Sequence, residues 1–166
     1  KYERELYAER VNYIKSLRPD CCIGVDVIVG FPGETDEQFL DTMEFLRDLD
    51  ISYLHVFTYS ERANTTAVKL GDPVPMNIRR DRSTQLHSLS DKKKRQFYEE
   101  NVGSIRTVLF EHEEDLGMMY GFTENYVKVK IAYDETFANT FQKVELLEVD
   151  RDGVMKVAIL SEELVP

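Results

Sequence analysis

Apolar residues recur at helical spacing at the start of the chain, at Leu6, Tyr7, Val11, Ile14 and Leu17. That period predicts an amphipathic helix over residues 3–18 with one buried stripe, ended by Arg18-Pro19-Asp20. The pattern then changes. Residues 22–30, CIGVDVIVG, are apolar on both faces apart from Asp26, as expected of a parallel strand covered by helices. Thr35 can cap the next helix, and Gln38 three residues on completes a capping box. Phe39, Met43, Leu46 and Leu49 give that helix its buried stripe, and residues 52–59, SYLHVFTY, return as a strand. A strand–helix–strand unit of this kind has parallel strands, so residues 1–60 read as α/β. Two strands cannot make a stable domain alone; further strands, or a partner, are expected.

Residues 61–76 hold Asn, Thr, Gly and two prolines and read as a loop. Residues 77–102 read as a long helix, basic on one face with Leu86, Leu89 and Phe97 on another, and Gly103 ends it. Five short strand-like runs follow, SIRTVLFEHE, MMYGFTE, YVKVKIAYD, QKVELLEVD and VMKVAIL, with turn signals EDLG and DRDG. Five short antiparallel strands in about 60 residues suggest a small closed barrel of the OB-like class. The expected organisation is 1–75, 76–102 and 103–166: a piece of an α/β barrel, a connecting helix and a β-barrel.

Charge refines the picture. The 166 residues carry a net charge of -10, which argues against non-specific coating of nucleic acid. Residues 1–75 hold 8 basic and 14 acidic groups and residues 103–166 hold 6 and 13, but residues 76–102 hold 7 and 4. A phosphate contact is therefore expected to start on the middle helix, at Arg79, Arg80, Arg82, Lys92, Lys93, Lys94 and Arg95; an ordinary solvated helix is the plainer reading. No apolar run approaches the ~20 residues of a membrane helix, and no export leader is visible. The chain lacks an initiator Met, as a piece of a longer protein would. Cys21 and Cys22 are adjacent and in one strand would point apart, so no disulfide framework is implied and a reducing cytoplasm is expected. No Cys/His set has metal spacing, so no zinc or iron–sulfur cluster is expected on this chain.

The candidate site is the corner at GFPGET. Strand parity puts Asp26, Ile28 and Gly30 on one face and Val25, Val27 and Val29 on the other. The valine face suits packing against helices; the other suits a ligand. Gly30 and Gly33 would let a ligand approach the backbone, Pro32 stiffens the turn beside Phe31, and the next helix points its N–H groups at the same place. The carboxyl ends of parallel strands are where such sheets bind ligands. A well-turned loop with no ligand is the plainer alternative. In the next strand Tyr53, His55, Phe57 and Tyr59 share a face that could line a pocket for a planar ring, with His55 as a core histidine otherwise; Ser60 and Arg62 follow, and Arg62 could hold an anion. In the last segment Tyr126, Lys128 and Lys130 share an expected outer face, an aromatic–lysine pattern common on nucleic-acid-binding barrels and equally on solvated strands.

These stretches together, DVIVGFPGETDEQF, then LHVFTYSERANTTA, then VLFE and GFTENYVKVK, resemble the carboxy-terminal half of the radical-SAM tRNA methylthiotransferases of the MiaB/MtaB-like family, most of all the MtaB-like group. The resemblance implies the last strands of a partial (β/α) barrel that binds S-adenosylmethionine, followed by an OB-like TRAM barrel that binds tRNA. It implies a parent enzyme with two 4Fe-4S clusters that adds a methylthio group to carbon 2 of threonylcarbamoyladenosine beside the anticodon. The cluster-binding parts belong to amino-terminal domains not in this sequence, so the fragment itself is expected to be inactive. By position, Ile28 and Gly30 match the strand whose apolar residue touches the adenine; Asp26 stands where that strand's first glycine would be, and Glu34 is one place late. Phe57 to Arg62 matches the YSxR strand end. The resemblance thus implies cofactor contacts among Asp26, Ile28, Gly30, Phe31, Pro32, Gly33, Phe57, Tyr59, Ser60 and Arg62. Two other functions compete: a stand-alone RNA-binding adaptor, and a relative that methylthiolates a protein. An open parallel sheet edge could also pair with a second copy.

Overall fold

A computed structural model describes residues 3–160, which group into two compact units divided between Lys94 and Arg95. In the first unit the order is α1 (Arg4–Leu17), β1 (Gly24–Val29), α2 (Asp36–Asp48), β2 (Tyr53–Thr58), a short 3-10 turn (Thr66–Lys69) within the expected loop, and the start of α3 (Met76–Glu100). β1 and β2 are parallel, in register from Gly24 opposite Tyr53 to Val29 opposite Thr58. The capping box forms: Gln38 N donates to Thr35 Oγ1, and Thr35 N donates to Gln38 Oε1.

The core follows the expected parity. Val25 and Val29 are buried with Phe39, Leu46, Leu49, Ile51 and Leu54, and α3 adds Leu86. Burying each large apolar side chain is worth about 1.5–3 kcal/mol. Ser90 of α3 fixes the helix to β2, accepting from Leu54 N at 2.8 Å and donating to Leu54 O at 3.0 Å. The expected stripe of α1 is a correction. Only Val11 is buried; Leu6, Ile14 and Leu17 are exposed, and the residue buried one turn past Val11 is Lys15. A two-stranded sheet is too narrow to cover a stripe that wide, so the helix rests on a single line of contact.

The second unit holds the end of α3 and five strands, β3 (Ile105–Asp115), β4 (Met118–Thr123), β5 (Lys128–Ala132), β6 (Phe141–Val149) and β7 (Met155–Ile159). They close a barrel in the order β3-β4-β5-β7-β6, with β6 returning to β3. All pairs are antiparallel except β5 with β7. Its interior is filled by Val108, Phe110, Met119, Val127, Val129, Val144, Leu146 and Met155, all fully buried. Gly121 faces Phe110 on β3, and a Cβ there would lie 2.5 Å from Leu109 O, so the strands can approach this closely only at glycine.

The TENY stretch is the turn between β4 and β5. Thr123 and Asn125 are buried: Thr123 Oγ1 donates to Asn125 Oδ1 and accepts from Val127 N, while Asn125 Nδ2 donates to Asn101 Oδ1. Glu124 accepts from Thr107 N at 3.0 Å. Tyr126 takes a left-handed φ of 67°, so it precedes the strand rather than belonging to it. No helix among the described residues is long and apolar enough to cross a membrane.

Candidate functional site

The corner between β1 and α2 is tied down from α3. Arg79 and Arg82 are nearly fully buried, at 3% and 4% exposure. Arg79 donates from Nε to Val74 O at 2.7 Å, from Nη1 to Tyr59 O at 3.0 Å and from Nη2 to Glu61 Oε1 at 2.5 Å. Arg82 donates from Nη1 to Glu34 O at 3.1 Å and to Glu34 Oε2 at 2.6 Å, and from Nη2 to Asp36 Oδ1 at 2.6 Å. The same Glu34 Oε2 accepts from Gly30 N at 2.8 Å. Burial opposes the Arg82 charge, but hydrogen bonds to Asp36 and Glu34 outweigh it and raise its pKa. The hydrogen bond from Arg79 holds the Glu61 carboxyl below its ordinary pKa.

Two expectations are corrected here. Arg79 and Arg82 do not lie on a solvated basic face; each is consumed by carboxylates and carbonyls of the loops. Gly30 has a φ of 80°, but the space beside it is taken: a Cβ would sit 2.5 Å from Arg79 Cγ. Four loop N–H groups that precede α2 are also engaged. Gly30 N, Gly33 N, Glu34 N and Thr35 N donate to Glu34, Asp72, Phe31 and Gln38. Glu34, Asp36 and Glu37 surround the start of α2 with negative charge. Of these, Glu34 and Asp36 are paired with Arg82. An open cleft of about 590 Å³ adjoins it, lined by Gly33, Thr35, Asp72, Val74, Ile78 and Arg82 among others.

The expected ligand face of the sheet is open. Asp26, Ile28, His55 and Phe57 are all exposed, with Asp26 opposite His55 and Ile28 opposite Phe57 in the strand register. The His55 and Tyr53 rings are perpendicular, 4.9 Å between centroids. Phe31 is exposed and meets Tyr59 in a T-shaped arrangement, 5.3 Å between ring centroids, and the Arg79 guanidinium lies over the Tyr59 ring, 5.4 Å from its centroid. Tyr59 follows the end of β2, its N–H donating to Val29 O at 2.9 Å, and its Oη is buried with no hydrogen-bond partner. Ser60 and Arg62 are exposed in the loop beyond. Pro32 is half-buried and Gly33 exposed.

On the barrel, Lys130 corrects another expectation. Its ammonium is nearly buried between Asp150 at 2.7 Å and Asp152 at 2.5 Å, because the DRDG turn from β6 to β7 folds over it. The hydrogen bond from Lys130, with one from Arg151 N, lowers the Asp150 pKa to about 2. Lys128 stays on the outer side, 4.9 Å above the Tyr120 ring. Sequence reading missed its neighbours. In register across the sheet, Phe141 faces Leu109, Leu109 faces Phe122 and Phe122 faces Lys128. All three apolar residues are exposed, and Tyr126, 69% exposed, lies 6.1 Å from the Phe122 ring. The signal available was alternation: Leu109 lies between buried Val108 and Phe110, and Phe122 between buried Gly121 and Thr123. In α3, Arg80, Lys92, Lys94 and Arg95 are exposed, Lys93 donates to Leu49 O, and Arg95 pairs with Glu99. Among the described residues no three His, Cys, Asp or Glu side chains converge as metal ligands.

A parallel strand–helix–strand unit followed in sequence by a five-stranded barrel with an exposed aromatic row defines an architecture rather than one reaction. No family model matches it. The chain is 45% identical over 130 residues to the threonylcarbamoyladenosine tRNA methylthiotransferase MtaB of Aquifex aeolicus, covering 78% of this chain and 30% of the relative. It is 35% identical over 152 residues to the protein of the same name from Bacillus subtilis, 89% of this chain and 34% of the relative. It is 38% identical over 124 residues to a tRNA-2-methylthio-N(6)-dimethylallyladenosine synthase of Pelotomaculum thermopropionicum, 75% of this chain and 28% of the relative. Over most of its own length the chain is a MiaB/MtaB-like sequence, and it spans about a third of the length of the relatives it matches.

Proposed function

We propose that this chain is part of a tRNA methylthiotransferase, supplying one side of an S-adenosylmethionine pocket and a tRNA-gripping barrel. The observation that carries the reading is the 45% identity over 130 residues to an MtaB protein. The substrate proposed for the parent is threonylcarbamoyladenosine in tRNA, the nucleoside named in two of the relatives. The first unit is then the end of a partial (β/α) barrel, and the second an OB-like TRAM module, whose strand order and single parallel pair suit that class. Action in the cytoplasm follows from a tRNA substrate.

S-adenosylmethionine has a planar base and a positive sulfonium, which suits an open strand face that carries both apolar surface and a carboxylate. Ile28, Phe31 and Phe57 offer apolar surface for the base, and Asp26 offers a carboxylate on the same open face. Tyr59, Ser60 and Arg62 border it at the end of β2, while Gly30, Pro32 and Gly33 shape the loop. The bound cofactor supplies the carbon radical and the methyl group of the family's reaction. The two adjacent cysteines and the lack of converging ligands among the described residues do not fit an iron–sulfur cluster. The clusters of the parent would be held outside this sequence, by amino-terminal domains that also cover a free edge of the sheet.

The barrel would hold RNA through Phe122, Tyr126 and Phe141 stacking on unpaired bases, with Lys128 beside them; on the first unit, exposed Arg80, Lys92 and Lys94 are separate candidates for phosphate contact. The test is a titration of a labelled tRNA anticodon stem-loop with the chain at several salt concentrations. Binding should weaken with salt, and Phe122→Ala with Tyr126→Ala should cost on the order of tenfold or more in affinity. Salt-independent binding, or wild-type affinity in the double variant, would remove the barrel from RNA recognition.

A further inference from the structure

The cleft, the open strand face and the aromatic row belong to the reading above. The two buried arginines of α3 do not, since no expected site residue needed them there. Three features set them apart from ordinary core arginines. They come from a helix outside the strand–helix–strand unit. Together they touch both loops that leave the carboxyl ends of β1 and β2: Arg82 holds Glu34 and Asp36, and Arg79 holds Tyr59 O and Glu61. Their contacts also reach the residues bordering the ligand face. Glu34 relays Arg82 to Gly30 N, and the Arg79 stem packs on Gly30 while its guanidinium lies over the Tyr59 ring.

We propose that Arg79 and Arg82 are positioning residues for the cofactor corner: they fix the Gly30–Asp36 loop and the Tyr59–Glu61 loop against one another and so set the shape of the ligand site from α3. This rests on the reading that S-adenosylmethionine binds at that corner. A planar guanidinium with several fixed donors can bridge a carbonyl and two carboxylates at once; a lysine ammonium in its place keeps the charge and loses the fork. Arg82 Nε is buried without a hydrogen-bond partner. The residue thus accepts one unmet donor in order to keep its two forked ones on the loop.

The test uses the full-length parent enzyme and measures S-adenosylmethionine affinity by equilibrium binding, thermal midpoint, and hydrogen exchange at Gly30, Gly33 and Tyr59. The variants are Arg82→Lys, Arg82→Met, Arg79→Met and Ser90→Ala. Ser90 is the control, because it fixes the same helix to β2 through Leu54, away from both loops. Arg82→Met and Arg79→Met should weaken binding on the order of ten- to a hundredfold and speed exchange at the three amides. Arg82→Lys should recover part of the affinity. Ser90→Ala should lower the thermal midpoint with affinity within about twofold of wild type. Unchanged affinity in both Met variants overturns the inference, as does a loss in Ser90→Ala matching theirs at equal loss of stability. A wild-type enzyme that does not bind S-adenosylmethionine overturns the cofactor reading and the inference with it.

Discussion

Replacing Gly30 and Gly33 separately by alanine asks whether the GFPGET corner is shaped by its backbone alone or by the arginine beside it. Both glycines have left-handed φ, 80° and 83°. Alanine in that region costs about 1–2 kcal/mol. At Gly33 nothing lies within 4 Å of the added Cβ, so the loss should stop there. At Gly30 the Cβ meets Arg79 Cγ at 2.5 Å and Cδ at 3.0 Å. Arg79 cannot yield without loosening its hydrogen bonds to Val74 O, Tyr59 O and Glu61. Losing one such charged bond costs about 1.5–3 kcal/mol, which brings Gly30→Ala to about 2.5–5 kcal/mol. Urea unfolding followed by circular dichroism gives the two losses, and hydrogen exchange of peptides from β1 to β2 assigns them to the first unit. With Arg79→Ala already in place, the Gly30→Ala loss should fall toward the Gly33 figure and stay a little above it, because the Cβ at 79 remains 3.1 Å away. Equal losses at the two glycines, or no coupling to Arg79, would refute the packing argument.

Other expectations concern the barrel. Asn125→Ala should destabilise it by about 1–3 kcal/mol, since it strips partners from buried Thr123 and Asn101 in the TENY turn; urea unfolding measures this. Asp150 has its pKa lowered from 3.8 to about 2, first by the Lys130 hydrogen bond. A carboxyl depressed in the folded state contributes stability above its unfolded pKa and loses it as pH falls through the folded value. Barrel stability should therefore decline between pH 4 and pH 2, and Asp150→Asn should flatten that decline in acid titrations followed by circular dichroism. Lys130→Met should leave tRNA affinity nearly unchanged while lowering the urea midpoint, because the ammonium is engaged by Asp150 and Asp152; a large affinity loss at constant stability would return Lys130 to the RNA face.

Local signals carried most of the fold. The capping box at Thr35 and Gln38, the all-valine face of β1 and the five strand-like runs each depend on neighbours a few residues away, so a linear reading reaches them. What was missed depends on distant partners. Lys130 alternates correctly along β5, yet a turn some twenty residues later places two aspartates over it. Arg79 and Arg82 look like part of a basic helix face until α3 lies against Glu34 and Glu61, almost fifty and about twenty residues earlier. The apolar stripe of α1 was legible, but how little of it the two-stranded sheet could cover was not. The aromatic row on the barrel needs the strand register to bring Phe141, Leu109 and Phe122 side by side.

The most direct measurement is nucleoside mass spectrometry of tRNA incubated with the reconstituted full-length enzyme and S-adenosylmethionine. Appearance of the 2-methylthio form of threonylcarbamoyladenosine, abolished when residues 95–166 are deleted, is the result expected if this chain grips tRNA for a methylthiotransferase. Methylthiolation of a protein instead of tRNA, or no methylthio nucleoside from any tRNA, would contradict it.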